Sequence, residues 1–409
     1  MNTTIKRGAS PLDLVQRRTL RYFWEFAHPD SYLARERSNV TPDYGLETVC
    51  SGGSGFGIMA ILCGVARGWL TRDTAIHRIR HMVNFLRCAE RYHGAMPHFL
   101  DGSTGKTFPL LDDGGDIVET SYLIMGLLCA RQFFNEVREL ERALRSEIQQ
   151  LWNEVEWSWY APEKNVLMWH WSPNHHFGMN VPIRGWNECL ITYVIATASP
   201  THPIKPIAYH EGWAKGASFH NGKKFYGIKL PLGPDIGGPL FFSHYSFLGL
   251  DPRGLSDKYT NYWKQNRAHV LVNRAHSVSN PHGHEGYTAD CWGLTSSDGP
   301  HGYTAHSPTS DFGVITPSAA LSSFPYAPRH CMKALKRFLI EPGLGDLGFP
   351  DAFCPNGWVA ESCLAIDQGP IIVMIENYRS GLLWKLFMSC PEIKHALRVL
   401  GFRSPILSL

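Results

Sequence analysis

The sequence predicts an all-α fold in which two concentric layers of helices form an (α/α)-barrel. Two kinds of helical segment alternate along the 409 residues. One kind carries a single apolar stripe and belongs at a surface with one wet face; the other is apolar on nearly every side and must be buried on every side. A third observation is negative. Period-2 alternation is sparse, which argues against a sheet-based architecture.

In chain order, FGIMAILCGVA at 56–66 is the first segment of the buried kind. In 74–92, Ile76, Ile79, Val83 and Leu86 recur at helical spacing while Arg78, Arg80, Arg87 and Arg91 face elsewhere, the pattern of an outer helix. TSYLIMGLLCA at 120–130 is again buried, and 132–155 carries the stripe Phe133, Val137, Leu140, Leu144, Ile148, Leu151. CLITYVIATA (189–198) and PIIVMIENYRSGLLWKLFM (370–388) complete the inner set; 257–274 and 329–340 are less regular outer segments. A short strand is expected within 223–231. The Gly-, Pro- and His-rich stretches 199–253 and 277–328 read as loops, and loops that long in a compact domain usually carry function. No linker-like boundary interrupts the pattern, so one domain is expected over 13–409, after a disordered 1–12.

Lys and Arg total 39 against 36 Asp and Glu, a balance that implies no nucleic acid or other polyanionic partner. The ten Cys form no CxxC pair, and Cys63, Cys88, Cys129 and Cys189 sit in apolar runs, as small buried hydrophobes do. The N-terminal MNTTIKRGASPLDL lacks the apolar stretch of a signal peptide, and no run reaches the ~18 apolar residues of a membrane helix. A soluble chain is expected, with its compartment and oligomeric state left open.

Several familiar motifs are absent. Lys106 follows Gly105, but Leu100 stands where a phosphate loop needs glycine. Gly53, Gly55 and Gly57 follow no strand signal and read as close packing or a loop at a helix start. There is no GxSxG elbow and no HExxH. His175, His176, His282, His284, His301 and His306 match no standard zinc spacing, so no metal site and no organic cofactor are expected.

The acids that stand out open the buried helices. Asp112, Asp116 and Glu119 fall at i, i+4 and i+7, one helical face that continues into Leu123 and Leu127. Glu188 precedes CLITYVIATA, and Asp367 precedes Pro370, a residue suited to a first helical turn. Helix capping would explain any one of these sites. Three sites that each open a buried helix point instead to a shared acidic cavity. Glycoside hydrolysis needs that arrangement, with one acid protonating the leaving oxygen and a second carboxylate activating water or attacking the anomeric carbon. Trp186, Tyr287, Trp292, Trp358 and Tyr378, near these acids or in the long loops, are candidate platforms for pyranose rings. Asn187 and Gln368, each adjacent to one of the acids, are candidate sugar-binding amides.

Residues 170–173 (HWSP) with GWNE at 185–188, SPTHP at 199–203, HGYTAHSPTSDFGVITPSAALSSFPY at 301–326 and AIDQGPIIVMIENYRSGLLWKLFM at 365–388 resemble the glucoamylase-like family. That family includes bacterial β-1,2-glucanases of glycoside hydrolase family 144 and domains of cyclic β-1,2-glucan synthases. The resemblance spans roughly residues 15–390. It implies a single (α/α)6 barrel, an acidic catalytic cavity, and usually export. It implies Glu188 as the leading candidate acid, an inner-helix cluster of Asp112, Asp116 and Glu119, and a further Asp at 367. The expected activity is hydrolysis of β-1,2-linked glucan, endo-acting, to short sophoro-oligosaccharides. An exo-acting β-1,2-glucosidase or sophorose-releasing enzyme and a transglycosylase are the rivals. Five candidate acids argue against a non-catalytic glycan-binding protein, which needs aromatics but no paired acids. Glu188 is expected to be the general acid and Asp367 to rank first as its partner, ahead of the Asp112, Asp116, Glu119 face.

Overall fold

The computed structural model describes residues 10–108, 113–162 and 165–408. Among these, twelve α-helices dominate: α1 (Pro11–Trp24), α2 (Ser51–Ala66), α3 (Arg72–Cys88), α4 (Ile117–Phe133), α5 (Glu139–Asn153), α6 (Leu190–Ala198), α7 (Tyr262–Ser279), α8 (Pro317–Leu321), α9 (Pro328–Phe338), α10 (Ala365–Arg379), α11 (Leu382–Ser389) and α12 (Pro391–Val399). Sheet is confined to four two-stranded antiparallel ribbons. They are β1 (Thr48–Cys50) with β2 (Phe99–Asp101), β3 (Gly115–Asp116) with β4 (His170–Trp171), β5 (Lys224–Phe225) with β6 (Ile228–Lys229), and β7 (Ser296–Ser297) with β8 (Thr304–Ala305).

The mostly helical class follows from the patterns above. α2, α4, α6 and α10 are buried on nearly all sides. They pack side by side in the order α10, α2, α4, α6, forming the centre of the core. α1, α3, α5 and α12 bury one stripe each: α1 lies against α2 and α10, α3 against α5, and α12 against α6. No helix is long and apolar enough to cross a membrane among the described residues.

Boundaries differ from expectation where backbone chemistry overrides periodicity. The stripe over 132–155 is two helices, because α4 ends at Phe133 and Val137 stands 89 % exposed before α5. The run 370–388 breaks at Gly381, whose φ of 69° ends α10 and lets α11 start in a new direction. α10 begins at Ala365, so Pro370 lies inside the helix and not in its first turn. The strand expected within 223–231 is the tight β5–β6 hairpin. Of the segment 1–12, residues 1–9 lie outside the described residues, while α1 already starts at Pro11 with Ser10 as its cap.

α2 and α4 touch backbone to backbone. A Cβ on Gly126 would lie 2.1 Å from the Gly55 carbonyl oxygen, and one on Gly55 would lie 2.3 Å from that of Tyr122. Neither contact can give, since both partners are main chain. Gly126→Ala is therefore expected to cost ~1–3 kcal/mol or more by overpacking, read from denaturant unfolding. An unchanged midpoint would show that the two helices are not held at this distance.

Candidate active site

The N-terminal ends of α2, α4 and α10 and the turn before α6 converge on one side of the molecule. There they enclose a cavity of about 700 Å³, lined among others by Cys50, Glu119, Glu188, Leu364 and Ile366. That volume lies within the usual range of small-molecule sites. Three of the ribbons form its walls, through Phe99 of β2, Trp169 just before β4, and Ser296 of β7. Helix N-termini carry partial positive charge and free N–H groups, so carboxylates are favourable there.

Glu119 lies in the first turn of α4, and its Oε2 accepts the Gly52 N–H of α2 at 2.8 Å. A Cβ on Gly52 would fall 2.4 Å from that oxygen, so the missing side chain is what lets the carboxylate come this close. Glu188 is held by its backbone. The Ser246 hydroxyl donates to the Glu188 carbonyl and accepts the Ile191 N–H at 3.0 Å. The Glu188 side chain keeps some accessible surface at the cavity, although its carboxyl lies deep in the protein. Burial pushes its pKa up to about 7, and the charges of Glu119 and Asp116 add to the rise.

Asp116 is not on the helical face expected of it. α4 starts at Ile117, and Asp116 is its N-cap, with Oδ1 accepting from the N–H groups of Val118 at 2.8 Å and Glu119 at 2.9 Å. Its other oxygen accepts from the Trp169 indole at 3.0 Å, which holds that ring at the cavity wall. Burial raises Asp116 to about 7, opposed by His98, whose Nδ1 lies 3.7 Å away, and reinforced by Glu119. Asp112 lies outside the described residues. Asp367, in the first turn of α10, is 2 % exposed and bonded to Ser318 at 2.7 Å. It sits behind the wall, while its neighbours Leu364 and Ile366 face the cavity.

The seven side chains read as substrate binders from sequence do not line the cavity. Trp186 is buried and stacks on Tyr262 with ring centroids 6.1 Å apart. Asn187 Oδ1 accepts from Cys189 N–H and Trp213 Nε1–H, so both residues build the turn that presents Glu188. Tyr287 donates to Asp311, Trp292 is fully buried, and Trp358 packs on Val314, Ala352 and Cys354. Gln368 donates to the Phe349 carbonyl, and Tyr378 lies about three turns beyond Asp367, at the far end of α10. The rings that do face the cavity include Trp169, Tyr122, Tyr245, Phe241 and Tyr303. Tyr122 could have been found, since it follows Glu119 by three residues on the same helical face. Trp169 adjoins the HWSP segment, and Tyr303 lies in the loop block 301–326. Among the described residues no group of three or more His, Cys, Asp or Glu is arranged to hold a metal ion.

Residues 180–391 match the Glycoamylase family, described as Putative glucoamylase, and the chain belongs to that family. A solved structure of a protein described in the same words from Bacteroides uniformis is 52 % identical, covers 97 % of this chain and 98 % of its own, and superposes with a TM-score of 0.94. The endo-β-1,2-glucanase of Chitinophaga pinensis, solved with sophorotriose and glucose, is 50 % identical over 97 % of this chain and 99 % of its own, also with a TM-score of 0.94. The exo β-1,2-glucooligosaccharide sophorohydrolase (non-reducing end) of Parabacteroides distasonis is 44 % identical over 95 % of this chain. The chain spans 57 % of the length of that curated relative.

Proposed function

We propose that this protein is a glycoside hydrolase that cleaves β-1,2-linked glucan, acting within the chain to give short sophoro-oligosaccharides. The observation that carries the reading is that Glu188 and Glu119 face one aromatic-walled cavity, with Glu188 held near a pKa of about 7. Protonated Glu188 gives its proton to the glycosidic oxygen as that bond breaks. Glu119, the other of the singled-out carboxylates on this wall, activates water or attacks the anomeric carbon. Asp116 orients Trp169 as a platform for a pyranose face. Asp367 stands behind the wall and is placed second to Glu119 as partner. The substrate linkage rests on likeness to the C. pinensis enzyme over nearly the whole of both chains. The inner and outer helices are read as a single (α/α)6 barrel over 13–409, in which converging inner-helix N-termini supply the acids.

The P. distasonis relative favours a second reading, release of sophorose from non-reducing ends. Chromatography of products from linear β-1,2-glucan over time separates the two. A ladder of oligosaccharides early in the reaction is expected, whereas sophorose alone from the first sample would mean exo action. No reducing sugar is expected from starch, and release at a comparable rate would overturn the substrate assignment.

A further inference from the structure

Behind the wall of the cavity lies a second group of acids. Asp351 and Asp367 are 1 % and 2 % exposed, and their side chains lie close enough to act on each other. Each also has one committed oxygen. Asp367 Oδ1 accepts from the Ser318 hydroxyl at 2.7 Å, and Asp351 Oδ2 accepts from the Asp298 N–H at 2.7 Å. The remaining oxygens, Asp367 Oδ2 and Asp351 Oδ1, are buried and meet no N–H or O–H donor of any other residue. Two buried carboxylates this near each other are costly to ionise together, and one proton between their unpartnered oxygens removes that cost.

Asp351 also ties this pair to the cavity. Through Asp298 it anchors the β7–β8 ribbon, which carries Ser296 and Tyr303 on its cavity side. Asp298 Oδ2 accepts from Arg37 at 3.1 Å and from Ser362 at 2.5 Å, and Arg37 lines the same cavity.

We propose that Asp351 is a positioning residue, the proton-carrying partner of Asp367, whose bonds to Asp367 and Asp298 hold Arg37 and Tyr303 in place for glucan. The positioning part rests on the hydrolase reading above; the shared proton does not. The titratable and charged groups around the pair are Asp298 and Tyr303 from the β7–β8 ribbon, Glu36 and Arg37 from the segment after α1, Tyr245 from the segment before α7, and Cys363 before α10. Of these only Arg37 is a cation, and Glu36 and Asp298 already engage it. Burial therefore wins, and both pair members are raised, Asp367 to about 7. Because the folded values exceed the ordinary carboxyl value of ~3.9, stability is fully present below that value and is lost as pH rises through about 7.

Asp351→Asn reproduces the protonated partner. Its oxygen can still accept from Asp298, and its amide can donate to Asp367. The thermal midpoint of this variant is expected to fall less with rising pH than that of the unmodified protein. Slopes from Glu188 and Asp116 are common to both proteins and cancel in the comparison. Asp351→Ala is expected to raise KM for sophoro-oligosaccharides several-fold with little change in kcat, and Asp351→Asn to restore KM at neutral pH. Identical pH slopes for the unmodified and Asn proteins would overturn the shared proton. Equal KM for the Ala and Asn variants would overturn the positioning role. If the protein cleaved no glucan, the hydrolase reading and the positioning role would fall together, and the midpoint comparison would still decide the shared proton.

Discussion

Glu188→Gln is expected to lower kcat by at least ~10²-fold while leaving KM nearly unchanged. Gln keeps the size of Glu and has no proton to give, so the loss falls on the chemical step. With Glu188 at about 7, its protonated fraction declines as pH rises through neutrality, and kcat/KM of the unmodified enzyme should decline on that alkaline side. The variant should lose this limb. Its fold should persist, because the bond that fixes the residue runs from Ser246 to the main-chain carbonyl and not to the carboxyl. Removing a buried acid with a raised pKa should also lessen the fall of stability above the ordinary Glu range of ~4.3. A Gln variant with normal kcat and an unchanged alkaline limb would return Glu188 to a purely structural part at the start of α6.

Glu119→Gln is expected to reduce kcat by ~10²–10⁴-fold, a larger effect than Asp367→Asn. Gln can still accept the Gly52 N–H, which in the native protein meets Oε2 at 2.8 Å, so the α2–α4 contact should survive and circular dichroism should be unchanged. What is lost is the negative charge at the cavity. Glu119 is also one of the charges that raise Glu188, so the alkaline limb of the remaining activity should shift to lower pH in the variant. Asp367→Asn removes a group that lies behind Leu364 and Ile366, and its effect should appear mainly in KM and in stability. Kinetics of the two variants on one sophoro-oligosaccharide compare them directly. A large kcat loss for Asp367→Asn beside a mild one for Glu119→Gln would restore Asp367 as the partner of Glu188.

The helical class and the helices buried all round are legible along the chain, because burial on every face writes itself as an unbroken apolar run. The sequence also placed Glu119 and Glu188 where such runs begin, and the packing of those helices brings both to one cavity. The rest comes from contacts between segments far apart in the chain. A Trp in the core and a Trp at a cavity wall have the same sequence surroundings, so Trp186 and Trp292 could not be told from Trp169 by composition. Trp169 faces the cavity because Asp116, spent as the cap of α4, has one oxygen left to hold its indole. Tyr245 comes from an irregular single-turn segment and Tyr303 from the turn of the β7–β8 ribbon, where no period marks a face. The buried acids Asp351 and Asp367 meet Asp298 and Ser318 from separate loops and helices, and a pattern read along the chain carries no information about such meetings.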